Sequence, residues 1–274
     1  MKNYKGRNYI NGLWLEPEEH TYSKIDPSPG KSMGTFPNSG EPVVHDAYVA
    51  ARKTFDNWRK VSRFVRSDYM YKVAQIIERR REELATVISL ETGKNYNESI
   101  AEVNEALHMA QFAFGSGRYS HGEAVSSEIA DKDSYMLRKP KGVIAIITPF
   151  NFPLAIGMFW NAAPALVEGN TIVIKSSELA PATLFEFGKL IEKTGIPKGV
   201  VNIVSGFGEP CGKALTSHNL VERVAFTGGP ETARHIIRNS ADNLSQVSLE
   251  LGGKSPVAVF EDADQENALN GITA

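Results

Sequence analysis

The sequence predicts an α/β fold in which an open, mostly parallel sheet carries helices on both faces and is preceded by N-terminal helices. From residue 142 onward, apolar runs rich in β-branched residues alternate with helical segments, which is typical of a parallel sheet covered on both sides. Between residues 44 and 116, apolar side chains such as Ala47, Ala51 and Phe55 recur at helical spacing. This second region accounts for the helices that precede the sheet.

The elements are predicted as follows along the chain. Turn-forming pairs separate short aromatic or β-branched runs between residues 8 and 40, which indicates short strands and irregular arms. We expect three helices between residues 44 and 116, broken near Ser62 and at residues 93–94. Residues 121–141 are polar and interrupted, and they end in an extended strand that connects two differently patterned regions.

Residues 142–260 are predicted to contain six strands, with helices between most of them. A helix with acidic residues in its first turn is expected after Asp262. The predicted strands are 142–148, 171–175, 200–204, 222–226, 247–251 and 257–260.

Composition excludes several classes of partner and site. The formal charge of −2 over 274 residues, with 30 Lys+Arg and 32 Asp+Glu, gives no field that would favour nucleic acid or an anionic membrane. No apolar run approaches the ~18 residues of a membrane span, so we expect a cytoplasmic protein. The six histidines show no metal-ligand spacing, so no metal site is expected.

Polar or glycine-rich residues follow five of the predicted strands. Because ligands of open α/β sheets bind beyond the carboxyl ends of the strands, these segments together indicate one binding site. The segments are 148–151, 175–178, 206–208, 226–229 and 250–253.

Two of these segments are glycine turns, at 206–208 and at 228–229, and each precedes a predicted helix. Such turns let backbone N–H groups at a helix start approach a phosphate. The first turn lacks the third glycine of the usual dinucleotide fingerprint, and either turn alone is equally explained as a tight connection. Two of them on neighbouring strands favour a diphosphate-containing ligand.

Lys175 and Glu178 lie three residues apart after a buried strand, so both side chains can reach one ligand. A carboxylate that accepts hydrogen bonds from both ribose hydroxyls favours NAD and repels the 2′-phosphate of NADP. The alternative is a solvated lysine beside a glutamate in the first turn of a helix.

Asn151 and Glu250 are candidate catalytic residues for acyl transfer. Asn151 lies in the proline-bracketed turn PFNFP at 149–153, and we expect its amide to face a pocket, where it could stabilise an oxyanion. Glu250 ends a strand before two glycines and, if partly buried, could deprotonate a water molecule. The alternatives are an asparagine that satisfies its own turn and a surface carboxylate.

The one cysteine, Cys211, follows the first glycine turn near a predicted helix start, where a helix dipole could lower the pKa of its thiol. Its place in the predicted phosphate-binding turn argues against a catalytic role.

In their order and approximate spacing, these motifs resemble those of the aldehyde dehydrogenase superfamily. That family oxidises aldehydes to acids with NAD or NADP through a cysteine nucleophile and a glutamate-activated water. The matching segments are YINGLW at 9–14, PFNFP at 149–153, PAL at 164–166, GNT at 169–171, 175–178, 206–208, FTG at 226–228 and LELGGKSP at 249–256.

The resemblance implies a role for each candidate residue. Asn151 would donate to the thiohemiacetal oxyanion, and Glu250 would be the general base that activates water to hydrolyse the thioester. The cofactor would be NAD rather than NADP, the substrate a small-molecule aldehyde, and the full-length protein a homo-oligomer. The adenosine ribose of the cofactor would contact Lys175 and Glu178, and the adenosine and diphosphate would lie along Gly208, Gly228 and Gly229. The backbone of Thr148, Pro149 and Phe150 would also contact the cofactor. Leu251 and Gly252 would lie on the nicotinamide side.

The resemblance also implies a division into domains. Residues 1–120 and 142–253 would form the NAD-binding domain, 121–141 an oligomerisation segment, and 254–274 the start of a catalytic domain. The family's nucleophilic cysteine lies beyond the glutamate and is not reached by residue 274, so we expect an N-terminal portion that is inactive alone. The alternatives are a free-standing nucleotide-binding or interaction module and one half of a split enzyme.

The chain departs from the family pattern at three places. The segment between Pro153 and Trp160 is one residue longer than usual, Asn161 occupies a position where lysine is common, and Gly229 replaces a frequent serine. We also expect uncovered apolar surface, and therefore self-association of the chain.

Overall fold

The structure is a computed structural model that describes residues 3–17, 20–119 and 122–273. Its strands are numbered in chain order as β1 (Tyr4–Lys5), β2 (Asn8–Ile10), β3 (Leu13–Leu15), β4 (Thr21–Ile25), β5 (Ser32–Pro37), β6 (Gly122–Val125), β7 (Ser134–Leu137), β8 (Val143–Ile147), β9 (Thr171–Lys175), β10 (Val201–Val204), β11 (Arg223–Gly228) and β12 (Gln246–Leu251).

The helices include two short π-helical turns, at Ala155–Phe159 and at Gly208–Gly212. No helix in the described part of the chain is long and apolar enough to cross a membrane. The α-helices are α1 (Glu41–Trp58), α2 (Arg63–Arg79), α3 (Arg81–Thr92), α4 (Tyr96–Ser116), α5 (Trp160–Val167), α6 (Pro181–Thr194), α7 (Lys213–Ser217), α8 (Pro230–Asn243) and α9 (Gln265–Thr273).

The central sheet has seven strands in the order β12-β11-β8-β9-β10-β2-β3. The five strands from β12 to β10 are parallel to one another, whereas β2 and β3 add an antiparallel edge. Register places Ile147 opposite Lys175, and Gly228 opposite Leu251. The carboxyl ends of the parallel strands therefore meet at one edge of the sheet, and the predicted fold class is confirmed.

Helices cover both faces of this sheet because alternate side chains of each strand point in opposite directions. Ile144 and Ile146 of β8 pack into one apolar core with α2 to α6. Val143 and Ala145 pack on the opposite side with α1, α7 and α8. All five residues of β9 are buried, which is expected of a strand covered on both faces.

The prediction of three helices between residues 44 and 116 is wrong, because the segment forms four. The additional break is at Arg80, whose backbone (φ −109°, ψ 15°) leaves the helical region between α2 and α3. Tertiary contacts maintain it, since the Arg80 guanidinium lies 2.5 Å from the fully buried carboxylate of Glu186. No glycine or proline marks this break in the sequence.

The predicted strand at 257–260 is also absent. Within the described part of the chain these residues have no strand partner, and the side chains of Val257 and Phe260 are 71% and 75% exposed. In the described part of the chain β12 is the last strand of the sheet, and residues 257–260 do not pair along its open edge. Apolar composition alone does not make a strand without a neighbour.

The short strands expected between residues 8 and 40 are present as β2 to β5. Residues 122–137 form the antiparallel hairpin β6–β7, apart from the central sheet. The extended strand predicted before Pro140 corresponds to β7. Residue 121, which also belongs to the predicted oligomerisation segment, lies outside the described residues, as does residue 120 of the predicted NAD-binding domain.

Candidate functional site

A cavity of about 840 Å³ lies at the carboxyl-terminal edge of the parallel strands. Segments that are distant in sequence meet there because parallel strands end at the same edge. All of the predicted site residues line it: Thr148, Pro149, Phe150, Asn151, Lys175, Glu178, Gly208, Gly228, Gly229, Glu250, Leu251 and Gly252.

The glycine turn after β11 leads directly into a helix. Gly229 is the N-cap of α8, and no side chain caps that end of the helix. An ideal Cβ at Gly228 would lie 2.6 Å from the Phe226 ring, whereas one at Gly229 would have no atom within 4 Å. Free N–H groups at a helix start next to an open cavity fit a phosphate ligand.

The glycine turn after β10 has a different geometry. An ideal Cβ at Gly206 would lie 2.7 Å from the Cβ of Cys211, so close packing requires this glycine. Gly208 faces open space, but Glu209 behind it is extended (φ −127°, ψ 129°) inside the π-helical turn. The helix predicted after this turn is present as α7, which begins at Lys213 behind the π-helical turn, and Gly208 leaves room for a ligand.

Lys175 ends β9 in a buried position, 3% exposed, and donates a hydrogen bond from Nζ to the carbonyl oxygen of Ser176 at 2.8 Å. Burial lowers the pKa of its ammonium, and neighbouring Cys211 and Glu178 oppose this effect. Glu178 is half-buried and lines the same cavity. The alternative of a solvated Lys175 is thereby excluded.

Asn151 lies at the rim of the cavity, and its side chain is exposed. It lines the cavity as expected, but from a position open to solvent. Its Oδ1 accepts a hydrogen bond from the backbone N–H of Phe152 at 3.1 Å, so the asparagine does satisfy its own turn. Within the described residues the amide NH₂ has no protein acceptor, and it remains able to donate to a ligand.

Glu250 also lines the cavity but is exposed, not partly buried as predicted. The physical reason is the position of β12 in the sheet: it pairs with β11 on one side, and no strand of residues 3–17, 20–119 or 122–273 pairs with its other side. Leu251 and Gly252 continue along the same wall.

Cys211 is fully buried beneath the cavity. Burial raises the pKa of its thiol to about 11, and the nearby Lys175 ammonium opposes the rise. The expectation that a helix dipole lowers this pKa is wrong, because desolvation of the thiolate dominates. Across residues 3–17, 20–119 and 122–273, no group of three or more His, Cys, Asp or Glu could hold a metal ion.

One wall of the cavity, formed by α7 and α8, was not predicted from the sequence. Thr232, Ile236 and Asn239 follow one another at intervals of four and three residues along α8, so they share one face of that helix. This helical spacing was visible in the sequence. The strand tips that guided the prediction gave no indication of which helix face would close the site.

The cavity residues fit a dinucleotide. The space left open at Gly208 and Gly229 and the uncapped start of α8 suit a diphosphate, and the half-buried carboxylate of Glu178 suits ribose hydroxyls.

Comparison with known proteins gives the family. The profile of the aldehyde dehydrogenase family matches residues 14–274. The betaine aldehyde dehydrogenase of Bacillus subtilis is 40% identical over 265 residues, which are 96% of this chain and 54% of that protein. The (Z)-2-((N-methylformamido)methylene)-5-hydroxybutyrolactone dehydrogenase of Acinetobacter baylyi is 39% identical over 264 residues, with the same coverage of 96% and 54%.

The fold is also shared with a solved structure. Betaine aldehyde dehydrogenase from Staphylococcus aureus in complex with NAD⁺ superposes with a TM-score of 0.93 at 35% identity, covering 97% of this chain and 53% of that one. The chain therefore spans about half the length of the relatives it matches. Because the family profile, the sequence identities and the fold all agree, the chain belongs to the aldehyde dehydrogenase family.

Proposed function

We propose that this chain is the NAD-binding portion of an aldehyde dehydrogenase that oxidises a small-molecule aldehyde to a carboxylic acid. One observation supports this most: five strand ends meet in one cavity. Glycines, Lys175, Glu178 and Glu250 line it, and all of them were predicted from the sequence. Residues 1–120 and 142–253 form the NAD-binding domain. Residues 121–141 form an oligomerisation segment in a homo-oligomer, and 254–274 begin the catalytic domain.

Within the cavity, different residues hold different parts of the cofactor. Lys175 and Glu178 contact the adenosine ribose, and Gly208, Gly228 and Gly229 line the path of the adenosine and diphosphate. The remaining contacts come from the backbone of Thr148, Pro149 and Phe150 and, on the nicotinamide side, from Leu251 and Gly252. When bound, NAD⁺ supplies the acceptor for the hydride that leaves the aldehyde carbon.

The two catalytic candidates have separate roles. The NH₂ group of Asn151, free of protein acceptors in the described part of the chain, donates to the oxyanion of a thiohemiacetal. Glu250 takes a proton from the water that hydrolyses the thioester. The nucleophilic thiol comes from outside these 274 residues, because Cys211 is fully buried and its thiol has a raised pKa.

The choice between NAD⁺ and NADP⁺ depends on the charge of the side chain that contacts the adenosine ribose. Glu178 is half-buried beside Lys175 in the cavity wall, and its carboxylate repels a 2′-phosphate while accepting from ribose hydroxyls. NAD⁺ is therefore the expected ligand and NADP⁺ a poorer one.

Isothermal titration of the chain with each dinucleotide tests this proposal. We expect NAD⁺ to bind at least about tenfold more tightly than NADP⁺, since removing one like-charge contact is worth about 1.4 kcal/mol or more. Glu178→Gln should reduce that ratio, whereas Glu192→Gln, which changes an exposed glutamate on α6, should leave it unchanged. Absence of binding by either dinucleotide would contradict the proposal.

A further inference from the structure

Glu102 of α4 lies directly behind the Asn151 turn. Its carboxylate is fully buried and has three donors around it. Oε1 accepts from the backbone N–H groups of Leu154 at 2.8 Å and Ala155 at 3.4 Å, and Oε2 accepts from Nζ of Lys94 at 2.7 Å. A buried carboxylate is stable only with such partners.

These contacts replace a missing helix cap. The helical segment that follows Asn151 begins with the π-helical turn Ala155–Phe159, and Leu154 at its N-cap position gives no side-chain cap. The first N–H groups of a helix lack intrahelical acceptors, and a negative charge at that end is favourable. Glu102 supplies both the acceptor and the charge from a helix 52 residues away in sequence.

Lys94 contacts both Glu102 and the turn that contains Asn151. Its Nζ lies 3.7 Å from the centroid of the Phe152 ring, within the range of a cation–π interaction. The backbone N–H of Phe152 in turn donates to Oδ1 of Asn151. The lysine and the glutamate thus hold the residues that immediately follow Asn151, by backbone hydrogen bonds and by a ring contact.

We propose that Glu102, together with Lys94, is a positioning residue that fixes the Asn151 amide at the rim of the cavity. The proposal deepens the proposed function, on which it rests for the role of Asn151 as oxyanion donor. Neither residue is among those that line the cavity, so both act through the turn and not on a ligand.

Amide NMR of the ¹⁵N-labelled chain tests the proposal, with the Asn151 side-chain NH₂ signal identified by its loss in Asn151→Asp. In Glu102→Ala we expect this signal to shift, and hydrogen exchange at the amides of Leu154 and Ala155 to accelerate about tenfold or more. Glu102→Gln keeps one acceptor oxygen and should restore much of the protection. Lys94→Met keeps the apolar stem over Phe152 and should shift the Asn151 signal with less effect on exchange.

Glu98→Gln is the matched control, because it removes the same charge from an exposed position one turn earlier on α4, and it should change neither readout. Should Glu102→Ala not fold, Glu102→Gln and Lys94→Met carry the test. An unchanged Asn151 signal and unchanged exchange in folded variants would overturn the proposal. Failure of NAD⁺ binding in the unmodified chain would instead count against the proposed function, since the NMR readouts need no ligand.

Discussion

At the scale of single residues, the geometry of Asn151 is compatible with both of the roles that the sequence presented as alternatives. Its Oδ1 satisfies the turn by accepting from Phe152 N–H, which leaves the NH₂ group at the cavity rim for a ligand. The amide has separate donor and acceptor ends, so one side chain can do both. The motif predicted its place at the site, but only the structure showed that it is exposed.

Cys211 should be a slow nucleophile in the folded chain. Its thiol is fully buried and burial raises its pKa to about 11, so little thiolate is present near neutral pH. We expect alkylation by iodoacetamide at pH 8, followed by mass spectrometry, to be at least about tenfold slower in native than in urea-unfolded chain. Equal rates in the two states would contradict the buried position.

Glu91 should make stability depend on pH. Burial raises the pKa of its carboxyl to about 7, against the opposing hydrogen bonds from Thr183 and Ala182 and the charge of Lys24. Because the folded state then holds the proton more tightly than the unfolded state, this group's contribution to the free energy of unfolding decreases between about pH 4.5 and pH 7. The decrease is on the order of 3 kcal/mol at most.

Urea denaturation between pH 5 and pH 8 measures this effect. The unmodified chain should lose stability relative to Glu91→Gln as the pH rises, because the glutamine has no proton to release. Glu82→Gln, at an exposed position on α3, should follow the unmodified chain. Parallel pH profiles for the unmodified chain and Glu91→Gln would show that Glu91 does not titrate in this range.

At the scale of elements, the π-helical turn 155–159 provides a place for the extra residue that the family resemblance predicts between Pro153 and Trp160. Its bonds span five residues, as from Gly157 N–H to the Phe152 carbonyl at 3.0 Å, so the turn holds one residue more than an α-helical turn. An extra residue between Pro153 and Trp160 would thus be taken up locally, before α5 begins. The family resemblance predicts the insertion, and the widened turn of the structure packs against α4.

Gly157 in this turn should be intolerant of a side chain. An ideal Cβ there would lie 2.6 Å from the Cβ of Thr148, a β-branched residue in the cavity wall. We expect Gly157→Ala to lower the free energy of unfolding in urea by about 1–3 kcal/mol through overpacking. Gly115→Ala in α4, where no atom lies within 4 Å, is the control and should raise stability by about 0.5–1 kcal/mol. A neutral Gly157→Ala would disprove this close approach.

At the scale of the whole molecule, β12 ends the sheet with a strand partner on one side only among the described residues, and apolar side chains are exposed at two places. Val257 and Phe260 are exposed beyond that strand, and Tyr135 and Leu137 are exposed on the β6–β7 hairpin. Strand edges and apolar patches of this kind promote association. Val257 and Phe260 lie in the proposed start of the catalytic domain, and Tyr135 and Leu137 lie in the proposed oligomerisation segment.

The chain alone should therefore self-associate, with sedimentation coefficients that rise with concentration in velocity experiments. Replacing Tyr135 and Leu137 with lysine tests the hairpin surface, and replacing Val257 and Phe260 with lysine tests the surface beyond β12. At least one pair should reduce association, whereas Val49→Lys, which changes an exposed valine on α1, should not. A concentration-independent monomer in the unmodified chain would contradict the prediction.

The sequence by itself determined the α/β class, five strands of the sheet and the identity of the residues that meet in the cavity. These follow from local patterns: apolar β-branched runs, glycine turns and polar residues at strand ends, read with the rule that parallel strands end at one edge. Only the tertiary structure decided the break at Arg80, the absence of a strand at 257–260, the exposure of Asn151 and Glu250, and the contacts of Glu102. Each depends on a partner, or the lack of one, from a distant part of the chain, and local sequence does not record which neighbour a residue will have.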